Sequence, residues 1–377
     1  MKKKLIFLLG GSPLQVDLLR KAKERYHVVI IDGNAECALR SEADEFFHLD
    51  FSDTNRLYEF AVIKSPFLIM TMASEPGNLS AAIVSAKLGL KYNSTEVVYS
   101  TINKVRMKKL LTDSRLPTAR YISVMSSEQS IALRDELTFP LVVKPSQSSA
   151  GRGVKLVNFI RDLEVSVAEA QAISKDGCAL VEEFIPGDQY SVETISCEGN
   201  HYVLGITREY FGPPPFFAET QQMFPADLDS VLESRIKDLI LTTLDFFEIQ
   251  YGACHVELRV APWGGLYIIE IASRIGGWRS ELIKKSIGLD YADLLLRSYE
   301  TNKLLVEKKK ESYCLVKMIF GQADVEREQV LRRNKAYNVS PVTWLKNSFG
   351  QVQNSLMDSA GYYFIEAENI EDALNAL

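Results

Sequence analysis

His255-Val256-Glu257-Leu258-Arg259, Pro262-Trp263-Gly264-Gly265 and Ile268-Ile269-Glu270-Ile271 decide how this chain is read. The two apolar runs flank a turn and read as paired antiparallel strands. A turn centred between Trp263 and Gly264 sets Glu257 directly opposite Glu270, on the same sheet face. Like charges in opposed positions destabilise a bare hairpin. Either something positive sits between them, or the register differs, or the pair lies solvated on an exposed face. Oxygen ligands so placed suit Mg²⁺, which commonly takes one or two carboxylates plus substrate phosphates. Arg274 follows four residues after Glu270, within Ala272-Ser273-Arg274-Ile275-Gly276-Gly277-Trp278. A planar guanidinium there could hold a phosphoryl group or a carboxylate. An ion pair with one of the glutamates is the structural alternative. The glycines would let backbone N–H groups approach an oxyanion, and the helix expected next adds positive potential at its start.

Moving upstream, Val142-Val143-Lys144-Pro145 places a lysine at the end of an apolar strand, and the small-residue stretch Ser146 to Val154 follows. Backbone N–H groups in such a loop can converge on one anion, with the lysine as a point charge. A hairpin turn with a snorkelling lysine fits the loop equally well. It is not a P-loop, since no Gly-Lys-Ser/Thr is present and the lysine precedes the loop. Val181-Glu182-Glu183-Phe184-Ile185-Pro186-Gly187 ends another apolar strand. Its backbone could read an adenine edge, or it is a strand with a Pro-Gly turn and nothing more.

The first hundred residues alternate strand and helix signals. Lys4 to Leu9, His27 to Ile31 and Phe67 to Met70 read as buried strands, and Ala81 to Leu88 as a helix stopped at Gly89. That alternation argues a parallel sheet covered on both faces. Gly10-Gly11-Ser12 lacks the full dinucleotide fingerprint and reads as a tight strand–helix turn. Lys104 to Leu111 and Leu232 to Phe247 read as helices, as does Ser280 to Leu296 with Gly288 inside it. Ser312 to Phe320 and Gly361 to Ile365 read as strands. The fold class is α/β. The expected domains are residues 1–97, 98–300 with a lid subdomain over about 115–187, and 301–377 packed on the core.

The chain has 377 residues, suggesting two or three domains. Its formal net charge is −6, which offers no broad basic face for nucleic acid. The apolar run Leu5 to Leu9 is too short for a membrane span. Five scattered cysteines without C-x-x-C and only four histidines argue against a disulfide framework or a zinc cluster, and a cytoplasmic setting is expected.

The order of these motifs resembles the ATP-grasp superfamily, and closely its carboxylate–amine ligase branch, which includes the L-amino acid ligases. The resemblance covers about residues 1 to 300. It implies a Rossmann-like pre-ATP-grasp domain, then an ATP-grasp domain with a mobile lid, then a small C-terminal subdomain. It implies ATP and Mg²⁺ as cofactors, with Mn²⁺ as a substitute ion. Lys104, after Asn103, matches a phosphate-binding lysine; Lys144 matches the lysine of the family's V-V-K-P strand. The lid loop contributes Ser148, Ser149, Gly151 and Gly153. Glu182, Glu183, Phe184 and Ile185 match the adenine hinge, and Glu257 and Glu270 the metal carboxylates. Arg274 matches the arginine that steadies an acyl-phosphate, so Arg274 and Lys144 are the implied catalytic residues. Glu75, Phe217, Glu219, Gly276 and Gly277 fall on the implied substrate side. Gln189 stands where a ribose-binding Glu is usual, Ala272 where many relatives carry a metal-binding Asn, and Trp278 where a third Gly is common.

The expected activity is ATP-dependent amide formation through an acyl-phosphate, between amino acids or between an amino acid and another small carboxylate or amine. Two rivals stay open: an ATP-grasp enzyme activating bicarbonate or formate, and a non-catalytic ATP-binding module. Small molecules are the expected partners, with no nucleic acid and no membrane. A homodimer is an expectation of the resemblance alone.

Overall fold

The computed structural model describes residues 3–125 and 136–377. Residues 126–135 of the expected lid subdomain lie outside the described residues. Three sheets follow one another along the chain. The first contains β1 (Leu5–Leu9), β2 (His27–Asp32), β3 (Glu45–His48) and β4 (Leu68–Met70), in spatial order β3-β2-β1-β4 and all parallel. Phe7, Leu9, Val29, Ile31 and Ile69 face one core and Ile6, Leu8, Val28 and Ile30 the other. Burial on both faces is why β1, β2 and β4 are apolar at nearly every position, whereas the edge strand β3 is largely exposed. Helices α1 (Val16–Arg25), α2 (Thr54–Lys64) and α3 (Glu75–Leu88) cover them. Ser74 caps α3 by accepting from the Gly77 N–H, and Gly89 ends it in the left-handed conformation. The Gly10-Gly11 turn is filled by the protein itself. The Gln15 amide donates to the Leu9 and Gly10 carbonyls, and a Cβ on Gly11 would lie 2.3 Å from Cys37 Sγ.

Helices α4 (Thr95–Ile102) and α5 (Lys104–Asp113) lead to the second sheet. Its strands are β5 (Tyr121–Val124), β6 (Leu141–Pro145), β7 (Lys155–Val157) and β8 (Ala179–Glu183), ordered β5-β8-β6-β7 and antiparallel, with α6 (Leu163–Ile173) packed on them.

The third sheet is antiparallel. It runs β13 (Leu266–Ala272), β12 (Tyr251–Val260), β9 (Asp188–Cys197), β10 (Asn200–Phe211), β11 (Glu219–Phe224), β14 (Tyr313–Ile319), β17 (Gly361–Ala367), β15 (Tyr337–Val339). A short β16 (Thr343–Trp344) also pairs with β17. The last three strands and β14 come from residues beyond 300, so the C-terminal part extends the same sheet. Helix α7 (Ser230–Phe246) packs against β10, and α8 (Arg279–Ile287) and α9 (Tyr291–Glu300) pack near β14 and β12. Two further helices, α10 (Gln322–Arg333) and α11 (Ile370–Ala376), cover the C-terminal strands.

The single helix expected from Ser280 to Leu296 is two. Gly288 adopts φ +70° and ends α8, and Asp290 caps α9 by accepting from the Asp293 N–H. A left-handed glycine followed within two residues by a capping aspartate is a stop and a start, which the apolar periodicity alone conceals.

Candidate active site

The hairpin of β12 and β13 carries the pair that opened the sequence reading. Glu257 stands opposite Glu270, the register the sequence predicted. Beyond them a bulge intervenes, so Leu258 faces Ile268 and Ile269 is the extra residue. Both carboxylates line one cavity of about 1070 Å³, counting its open mouth, which lies between the second and third sheets. The positive charge that such a pair needs is present. Lys104 Nζ, buried at the start of α5, lies 3.1 Å from Glu270 Oε1 and donates to the Ser148 carbonyl at 2.9 Å. Asn103 caps that helix by accepting from the Arg106 N–H, which fixes where Lys104 emerges.

On the opposite wall, Glu182 of β8 is buried between two lysines. Lys144 Nζ of β6 lies 2.6 Å from Oε1 and Lys108 Nζ of α5 lies 3.2 Å from Oε2. Burial works to raise the Glu182 pKa, but the Lys108 and Lys144 charges override it and hold the carboxyl below the usual range. Burial draws the Lys108 ammonium down to about 8 against the pull of Glu182. Phe184, Ile185 and Val142 add apolar surface to the same cavity. Gly187 lets the chain turn there: it has φ +114°, and a Cβ would fall 2.0 Å from the Val260 carbonyl oxygen. Asp176 braces the loop after β6, accepting from the Ser146 and Ser174 hydroxyls and the Gln147 amide. Ser148, Ser149 and Gly151 line the cavity, and the Ser148 hydroxyl is buried without a hydrogen-bond partner among the described residues. Gly153 does not line it. With φ +75° and Pro145 Cγ 2.9 Å from its would-be Cβ, its role is to turn the loop.

Below Glu257 lies a charge network that the sequence reading missed. His255 Nδ1 meets Glu193 Oε1 at 2.5 Å, and His255 Nε2 is 3.4 Å from Glu257 Oε1. Burial alone would lower the imidazole, but Glu193 and Glu257 raise it to about 10, so it is a cation. Burial works to raise Glu257, yet the hydrogen bond and charge of His255, with Arg279 and Lys104, hold it down near 2. Arg279, almost wholly buried, reaches Glu209 at 2.5 Å, Glu193 at 3.4 Å and Glu219 at 3.6 Å. Burial and the neighbouring Glu257 and Glu219 push Glu209 up to about 8. The glutamates sit in strands of mixed polarity and Arg279 stands two residues after the glycine pair, so the sequence marked them only faintly. Lys108 carried a signal too, one helical turn after Lys104 on the same face.

The remaining expected site residues divide. Arg274 lines the cavity, and its guanidinium donates to Glu75 at 2.8 Å, so the arginine pairs with Glu75 of α3 and not with Glu257 or Glu270. Phe217 and Glu219 line the cavity, and Glu219 Oε1 is buried without a hydrogen-bond partner among the described residues. Gln189 also lines it. Its amide nitrogen donates to Glu209 and Glu257, and its carbonyl oxygen accepts from Arg259. Arg259 in turn donates to the Ile185 carbonyl and lies over the Phe184 and Phe217 rings, at 4.9 and 5.6 Å. Glu183 lines the cavity while its carboxylate accepts from Arg120 and the Thr138 N–H. Gly276 and Gly277 do not line it; Gly276 packs against His255 and Arg279.

Residues 137–281 match the family profile described as an ATP-grasp domain. This stretch is similar to an ATP-grasp domain. A D-alanine–D-alanine ligase of Pseudomonas entomophila (strain L48) is 24% identical over 269 residues, covering 69% of this chain and 83% of that ligase. An alanine–anticapsin ligase of Bacillus subtilis (strain 168) is 25% identical over 233 residues, covering 56% of this chain and 49% of its own length. The chain spans about half the length of two of the curated relatives it matches. The crystal structure of an L-amino acid ligase from Bacillus licheniformis superposes with a TM-score of 0.81 at 19% identity, covering 100% of this chain and 96% of that one. The last match shows the fold, including the mixed α/β architecture with its parallel N-terminal sheet. All three of these relatives are named as ligases, the class of enzyme expected from the motifs. No helix among the described residues is long and apolar enough to cross a membrane.

Proposed function

We propose that this ATP-grasp protein is an ATP-dependent carboxylate–amine ligase that joins an amino acid, or another small carboxylate, to an amine. The observation that carries it is one cavity that gathers Lys104, Lys144, Glu257, Glu270 and Arg274 between two sheets. The domain boundaries expected from the sequence belong to the same proposal, with the lid on the second sheet.

The chemical problem is a poor electrophile. A carboxylate resists attack because it is anionic and resonance-stabilised. In the proposed reaction its oxygen attacks the γ-phosphorus of ATP, the bond to the β-phosphate oxygen breaks, and an acyl-phosphate and ADP form. The amine then attacks the acyl carbon, phosphate leaves with the C–O bonding pair, and the amine proton passes to solvent or phosphate. The protein supplies position and charge. Lys104 and Lys144 face the transferring phosphates. Arg274, held by Glu75, faces the carbonyl side. The loop carrying Ser148 to Gly153 excludes water that would hydrolyse the intermediate. The chemistry of Glu257 and Glu270 fits a hard divalent ion, because Glu257 is held as a carboxylate and both line the cavity beside cations. Mg²⁺ held there would neutralise phosphate charge.

The test is ADP release with Mg-ATP across a matrix of carboxylates and amines, with product mass read in each positive well. Turnover requiring both an amino acid carboxylate and an amine, and lost in Glu270→Ala, supports the ligase. Turnover with bicarbonate or formate instead overturns it.

A further inference from the structure

We propose that Lys108 is a reserve counter-ion, which holds Glu182 when Lys144 turns to the phosphates of a bound nucleotide. The inference rests on the ATP reading above. One buried carboxylate here has two lysines, 2.6 and 3.2 Å away, on its two oxygens. The two differ in one respect. Lys144 lines the cavity; Lys108 does not. Lys108 is fully buried behind Glu182, where its ammonium donates to Thr118 Oγ1 at 2.6 Å and to the Ile268 carbonyl at 3.4 Å. Thr118 donates to the same Ile268 carbonyl. The ammonium is thus held at Glu182 by neutral acceptors that leave its charge free for the carboxylate.

A second buried lysine exceeds what one carboxylate needs, and burying a charge is costly. The excess makes sense if the first lysine leaves. A nucleotide's phosphates carry more charge than one carboxylate and would compete for Lys144. Without Lys108, that departure would strand Glu182 as an unpaired buried anion, and the cost would be charged against nucleotide binding. With Lys108 in place, Glu182 remains paired in both states. Lys108 touches no ligand on this reading and is a positioning residue.

Calorimetry of Mg-ADP and of adenosine separates the alternatives, with thermal melts to verify folding. Lys108→Met should weaken Mg-ADP by about tenfold or more, within the usual range for coupled sites, and leave adenosine unchanged. In a Glu182→Gln background Lys144 is unclaimed, so adding Lys108→Met should cost Mg-ADP nothing. Lys108→Arg keeps the charge and should bind as wild type. Should Lys108→Met not fold, Lys108→Gln, which keeps polar contact with Thr118 and Ile268, is read in its place. Unchanged Mg-ADP affinity overturns the proposal. So does an equal loss for adenosine, or a penalty that persists beside Glu182→Gln, since a purely structural lysine would show either. A wild-type protein that binds neither Mg-ADP nor Mg-ATP would instead overturn the ATP reading.

Discussion

Lys104 is buried beside Glu270, unlike a solvated surface pair, and this decides what the facing glutamates do. Their repulsion is balanced by a buried ammonium 3.1 Å from one and a protonated His255 beside the other. Removing Glu270 should therefore leave Lys104 underpaired as well as removing an oxygen ligand. Glu270→Ala is expected to lower ADP-forming turnover by about a hundredfold or more. Glu270→Gln, which keeps the shape, should lose turnover similarly while melting closer to wild type. Steady-state rates and melts on both variants check this. Arg274 gives a second expectation. Arg274→Lys cannot reproduce the planar fork toward both Glu75 and the cavity. It should reduce kcat more than it alters the KM for ATP, since ATP is proposed to sit on the lysine side. The residues legible in the sequence were those flanked by unusual neighbours: glutamates in a glycine-turn hairpin, a lysine before a small-residue loop, an arginine after a strand. Those hidden were Glu193, Glu209, Arg279 and Lys108. Each lies within an ordinary strand or helix, and only the packing of distant segments gives it a partner.

The hinge after β8 and the loop after β6 are where element geometry constrains function. Gly187 turns with φ +114° against the Val260 carbonyl, where a Cβ would sit 2.0 Å from the oxygen. Gly187→Ala must displace the hinge from β12. It is expected to destabilise the protein by about 2 kcal/mol or more and to weaken ATP binding, as read by melts and calorimetry. The loop offers a different check. Arg152 is exposed beside Gly151, whose would-be Cβ is 3.3 Å from the Phe217 carbonyl. If this loop closes over nucleotide, trypsin should cut after Arg152 more slowly with Mg-ATP than without it, and an unchanged rate would count against a lid. Element types were largely readable because buried parallel strands and capped helices leave local marks. The bulge at Ile269 was not, since a one-residue slip between β12 and β13 leaves the apolar pattern of both strands legible as before. The split at Gly288 was misread because apolar positions in α8 and α9 keep helical spacing across the break.

On the scale of the whole molecule, the N-terminal sheet is not an independent body. Leu18, Leu19 and Tyr26 share one apolar cluster with Leu294, Leu295 and Tyr299 of α9. Arg25 crosses the same boundary to Asp293 at 2.7 Å and Glu300 at 3.3 Å. On the same side of the molecule, Asn78 of α3 donates to the Ser273 carbonyl and hydroxyl, which keeps Glu75 beside Arg274. Burial alone would raise the Asp293 pKa, but the hydrogen bonds from Arg25 and Arg297 lower it. A carboxyl with a depressed folded pKa adds stability above its unfolded value, near 3.9. That contribution fades as pH falls through the lower folded value. Arg25→Met removes the crossing partner and leaves the Arg297 contact within α9 intact. It should cost about 1 kcal/mol or less at pH 7, because the pair is partly exposed. As pH falls below the unfolded value and on through the lower folded one, Asp293 becomes protonated in both states and the gap from wild type should narrow. Thermal melts of the two proteins across pH 2.5 to 7 decide it. A gap that stays constant with pH would mean that Arg25 acts through packing of its aliphatic stem against the seam, and that the charge pair contributes nothing.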